Sequence, residues 1–121
     1  REFVTNRHAF GQTVSDFQGI RWMLADMQIQ TEAARGLVYK AAAAVDAGVS
    51  GNDLAIQAAI AKCHATDTAM KVATDAVQLF GASGVSNEYP INRYFRDAKV
   101  LQIVEGTNQI QRNLISRIML R

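Results

Sequence analysis

Residues 50–81 read SGNDLAIQAAIAKCHATDTAMKVATDAVQLFG and carry one helical period from end to end. Leu54, Ile56, Ile60, Cys63, Met70, Val77 and Phe80 recur at the spacing of an amphipathic helix, and eight residues of alanine, the best helix former, stand between them. Ser50 with Asp53 three residues later forms a start signal like a capping box, with Asp in place of the usual Glu or Gln, and Gly81 is a stop. A helix of that length needs partners along its whole apolar stripe.

The flanks supply them. From about Thr13 to Asp46, Phe17, Ile20, Leu24, Met27, Ala34, Leu37, Val38, Ala41 and Val45 keep helical spacing, and Gly48 is a stop. The loop to Ser50 is so short that the two long helices must pair antiparallel. After the loop Gly81–Asn87, Pro90 opens a shorter third helix ending near Val100. A fourth begins around Thr107, capped by Thr107 or Asn108, with Ile110, Leu114, Ile115 and Ile118 as its stripe. The prediction is an all-α fold, an up-and-down four-helix bundle, in one domain spanning residues 1–121.

Composition agrees: 121 residues, 49% apolar, with one proline and eight glycines. A net charge of +2, with 13 basic and 11 acidic residues dispersed, gives no case for nucleic acid or for an anionic membrane, and no apolar run reaches spanning length. The one cysteine, Cys63, reads as a reduced core thiol, which points to the cytoplasm or another reducing compartment such as a mitochondrial matrix. His8 and His64 show no ligand spacing, so no metal site is read. Arg96, Asp97 and Lys99 are expected to form a structural charge network, and Arg93 and Arg112 to be surface cations.

Glu105 stands out. It lies between Leu101, Ile103 and Val104 on one side and the permissive pair Gly106-Thr107 on the other. On pattern alone two readings stand: a solvated carboxylate favoured by a helix N-terminus, or a base in a dry pocket. Arg7 likewise reads as a solvated cation and Phe10 as a core anchor.

Five segments in one order carry a family resemblance: Arg7-His8-Ala9-Phe10-Gly11 with Phe17-Gln18, Gln78-Leu79-Phe80-Gly81, Glu88-Tyr89-Pro90, Arg96-Asp97-Ala98-Lys99, and Glu105 through Arg112. Together they resemble the C-terminal domain of the acyl-CoA dehydrogenases. The resemblance implies that Glu105 is the base removing the α-proton of an acyl-CoA thioester while a β-hydride leaves for FAD, and that Gly106 lets the backbone approach the substrate. It implies FAD contacts from Arg7, Phe10 and Gln18, from Gln78, Gly81 and Ala82, and from Thr107 and Gln109. It further implies a homo-oligomer, dimer or tetramer, sharing FAD across a subunit interface, with an electron-transfer flavoprotein as partner.

The chain departs from the family pattern at Ala82, in place of a second glycine, at Val85, in place of an aromatic, and at Val104, where tyrosine is common. An N-terminal helical domain and a middle β-domain are expected outside this chain, and the isolated domain is expected to be inactive and to self-associate. An acyl-CoA oxidase or other flavin-dependent relative, or a non-catalytic helical assembly module, are the competing readings.

Overall fold

A computed structural model describes residues 1–121. The order is α1 (Glu2–Asn6), a two-stranded antiparallel hairpin of β1 (His8–Ala9) and β2 (Gln12–Thr13), then α2 (Gln18–Asp46), α3 (Gly51–Phe80), α4 (Ile91–Leu101) and α5 (Asn108–Met119). Single 3-10 turns cover Val14–Asp16 and Gly81–Val85. The four long helices are those expected, and no helix is long and apolar enough to cross a membrane. The small elements before α2 were not expected. The helix predicted from about Thr13 starts instead at Gln18, because Thr13 and Asp16 close a capping box around a separate turn. Arg21 locks that turn by bonding the Ser15 carbonyl at 2.9 Å and Asp16 at 3.1 Å.

α3 is the hub, packing against α2, α4 and α5. Most of the buried positions on the two long helices are small: Ala34 and Ala44 on α2 and Ala59, Ala61, Cys63 and Ala73 on α3. No large side chain is fully buried anywhere in the chain. Alanine at a seam lets helix backbones approach closely, and it leaves the bulky apolar groups for the outer faces. Trp22, Ile29 and Tyr39 on α2 and Met119 on α5 are all exposed.

The α2–α3 turn has a physical cause that the sequence carries openly. Gly48 adopts φ 75, and the amides of Gly48 and Val49 bond back to the carbonyls of Val45 and Ala44 at 3.0 and 2.9 Å. These paired bonds are the Schellman closure that a left-handed residue after a helix permits. Ser50 stands at the N-cap of α3 as expected, yet its side chain makes no capping bond. Pro90 is the N-cap of α4 rather than a first-turn residue, and α4 ends at Leu101, one residue past the expected end.

Candidate active site

Between α4 and α5 the chain turns through residues 102–107, an elbow with two successive left-handed residues, Glu105 at φ 55 and Gly106 at φ 83. A glutamate rarely adopts that conformation, so other contacts must impose it. The Gln111 amide donates to the Glu105 carbonyl at 3.0 Å, and Lys62 Nζ donates to the Gly106 carbonyl at 2.9 Å. The Asn108 backbone N–H reaches back to the Gln102 carbonyl at 3.0 Å. Thr107 caps α5 by accepting the Ile110 amide at 3.3 Å. The Glu105 side chain itself takes part in no hydrogen bond or ion pair, and it is exposed beside the exposed Leu101, Ile103 and Val104. Within this chain alone the dry pocket expected for it is not closed.

The elbow is anchored on α3 through a polar cluster. Asn108, only 3% exposed, gives its Nδ2 to Thr66 Oγ1 at 2.8 Å and to Asp67 Oδ1 at 2.7 Å, while its Oδ1 accepts Lys62 Nζ at 2.6 Å. Asp67 also accepts Gln102 Nε2 at 2.7 Å and pairs with Arg112 at 2.5 Å. Burial pushes the Asp67 carboxyl up, but the hydrogen bonds from Arg112, Gln102 and Asn108 outweigh it and leave the group below the ordinary carboxylate range. Arg112 is raised in turn by its bond to Asp67. Cys63 is buried and reduced as expected, and burial pushes its thiol up.

Lys62, Asp67 and Asn108, which support the elbow, were missed as site residues, and Arg112, read as a surface cation, is exposed and pairs with Asp67. Lys62 and Thr66 lie four residues apart on one face of α3, with Asp67 next to Thr66, a polar run that could have flagged them. The charge network expected among Arg96, Asp97 and Lys99 does not form. Of the three, only Lys99 is bonded, to Gln102 at 3.0 Å: Asp97 lies one and two positions from Arg96 and Lys99, spacings that do not face each other on a helix, and Arg96 and Lys99, three apart, carry like charge.

The other predicted residues fall into two groups. Thr107 and Gln109 line a polar cavity of about 250 Å³ next to the elbow with Asp67 and Arg112. Arg7 lies at the far end of α3, in an open cavity of about 520 Å³ with Phe3, Phe80 and Tyr89. There Phe3 stacks on Phe80 with ring centroids 4.1 Å apart. Gln78 and Gly81 lie at the end of α3, with Ala82 next, and all three are exposed. Gln18 is the first residue of α2, also exposed. Phe10 is not a core anchor: with Gly11 it forms the tip of the hairpin, at φ 52 and 96% exposed, its ring set edge to face with Phe17. Lys62 and Phe80 are eighteen residues apart on α3, about 27 Å of helix axis, so one copy does not bring Arg7 and Glu105 together.

Residues 1–120 match the family model for the acyl-CoA dehydrogenase C-terminal domain. The chain belongs to the acyl-CoA dehydrogenase family. It is 51% identical over 119 residues to the "Probable acyl-CoA dehydrogenase fadE25" of Mycobacterium leprae, covering 98% of this chain and 30% of that protein. The solved structure of butyryl-CoA dehydrogenase from Megasphaera elsdenii superposes with a TM-score of 0.94 at 48% identity, over 99% of this chain and 30% of that one. The FAD complex of PigA shares the fold with a TM-score of 0.89 at 27% identity, covering 98% of this chain and 30% of PigA. The chain therefore spans about a third of the length of such acyl-CoA dehydrogenase relatives.

FAD is found in a structural relative, and the donor set here suits it. Arg7 is in none of the ion pairs and its guanidinium donates to nothing, and the Gln18 side chain is equally unengaged. The Gln109 backbone amide, at the open N-terminus of α5, has no acceptor in the chain. A free guanidinium fork and a free helix-start amide are what a diphosphate and a polar ring recruit.

Proposed function

We propose that the full-length protein carrying this domain is an FAD-dependent acyl-CoA dehydrogenase that desaturates an acyl-CoA thioester between Cα and Cβ. The observation that carries the reading is the Glu105 elbow: a carboxylate free of every partner in the chain, on a backbone held in a left-handed turn, beside apolar neighbours. In this reading Glu105 takes the α-proton onto a carboxylate oxygen as the Cα–H bond breaks. FAD, when bound, supplies the acceptor for the β-hydride. Leu101, Ile103 and Val104 exclude water from the acyl chain and from the carboxylate beside it. Gly106 keeps the approach to the thioester clear of a side chain.

Arg7, Phe10, Gln18, Gln78, Gly81 and Ala82 form one FAD-binding set, and Thr107 and Gln109 form the other. Because the two lie at different levels of α3, the reading favours a homo-oligomer in which one subunit's Arg7 end reaches the flavin served by another's elbow. The uncovered aromatic and aliphatic faces of α2 and α5 supply the interface. An electron-transfer flavoprotein is the proposed acceptor of the electrons.

Stopped-flow mixing of the full-length holoenzyme with saturated acyl-CoAs tests the base. Glu105→Gln is expected to keep FAD and bind substrate while flavin reduction is lost, since an amide of nearly the same shape cannot take the proton. Flavin reduction at the wild-type rate in this variant removes Glu105 from the role.

A further inference from the structure

We infer that Lys62 is a positioning residue for Glu105, holding the elbow in its left-handed turn from α3. The inference rests on Glu105 being the base. Lys62 makes no ion pair; its ammonium instead spans to two oxygens far along the chain, the Gly106 carbonyl at 2.9 Å and Asn108 Oδ1 at 2.6 Å. Neither acceptor is charged, so the contact fixes a backbone rather than neutralising a carboxylate. Thr66, one turn on from Lys62, and its neighbour Asp67 hold the Asn108 Nδ2 and so turn its oxygen toward Lys62. Gln111 grips the Glu105 carbonyl from the α5 side. The peptide units on both sides of Gly106 are thereby fixed from two helices, and the Glu105 side chain, with no bond of its own, points where the main chain sends it.

Removing Lys62 leaves Gly106, which tolerates many conformations, free to relax the turn. A catalytic group displaced by about 1 Å loses up to a hundredfold in rate. Replacing the cation with a neutral chain of similar length isolates this effect, and an arginine retains the donor.

The test uses the FAD-loaded full-length enzyme with Lys62→Met and Lys62→Arg. Lys62→Met is expected to slow flavin reduction by about tenfold to a hundredfold with little change in KM or FAD content, and Lys62→Arg to recover part of the rate. Hydrogen exchange in residues 102–108 should quicken in Lys62→Met, a readout independent of turnover. If Lys62→Met does not fold, Gln111→Ala releases the Glu105 carbonyl from the other side, with the same expectation. A wild-type reduction rate, a rate loss that merely follows FAD loss, or slowed reduction without faster exchange at the elbow each overturns the inference. Glu105→Gln run alongside separates the two ideas: full activity in it removes the base, whereas an inactive Glu105→Gln beside an unaffected Lys62→Met removes only the positioning role.

Discussion

Asn108 Nδ2 and Asp67 Oδ1 meet at 2.7 Å, joining the first residue of α5 to the middle of α3. One buried amide thus ties the elbow to the hub helix through three side chains, and its removal should be felt in the whole domain. Asn108→Leu fills similar space but leaves the Asp67 and Lys62 groups short of a partner. We expect a loss of about 2 kcal/mol, from the cost of stranding buried polar groups, measured as a shift of the urea midpoint at unchanged slope.

The same cluster should make the protein acid-sensitive. The folded Asp67 carboxyl lies below its ordinary value, so the unfolded chain binds more protons as pH falls, and stability is lost on acidification. The contribution is complete above about pH 4, the range of a free aspartate, and disappears as pH drops through the lower folded value. Asp16 adds the same sign, lowered chiefly by the Thr13 hydroxyl. Thermal unfolding followed from pH 7 to 3 should show the decline, and Asp67→Asn should flatten part of it while lowering the Tm at neutral pH.

Gly84 marks a close approach. A Cβ there would sit 2.6 Å from the Val77 carbonyl oxygen and 3.0 Å from Phe80 Cβ. Backbone oxygen cannot step aside as a side-chain tip can. Gly84→Ala should cost on the order of 2 kcal/mol by overpacking and should loosen the Phe80 side of the Arg7 cavity. Denaturant unfolding checks the first effect, and a Tm equal to wild type would contradict it.

Arg7→Ala should leave the Tm of the flavin-free protein within about half a degree to two degrees of wild type, because the exposed guanidinium is in none of the chain's ion pairs. In the full-length enzyme, FAD affinity should fall by on the order of 2 kcal/mol with the loss of a bidentate diphosphate partner. Flavin content after purification and titration of FAD into the flavin-free form measure it.

The long helices were legible because periodicity, alanine content and the Gly48 stop all act within a few residues. The N-terminal elements were not. The turn at Val14–Asp16 and the hairpin depend on Thr13 reaching Asp16 and on Phe10 accepting a left-handed conformation, which a window tuned to helical spacing reads as helix or core. Glu105 could be singled out by its flanks, but its support could not. Lys62 and Asn108 are 46 residues apart, and no local pattern announces that a lysine on one helix will bond the main chain of a distant turn.

The Glu105 elbow is held entirely through carbonyls, amides and the side chains of other residues, with the carboxylate contributing nothing to its own placement. The fold consequently does not depend on the carboxylate at position 105, although the left-handed backbone there excludes proline and disfavours β-branched residues. A lineage could exchange the acid for another residue, and with it the reaction, while every helix and every bond of the cluster persisted. Descent of this architecture and descent of its chemistry are therefore separable inheritances. On the proposed reading of Glu105 as the base, the chemistry rests on a side chain that the backbone does not need.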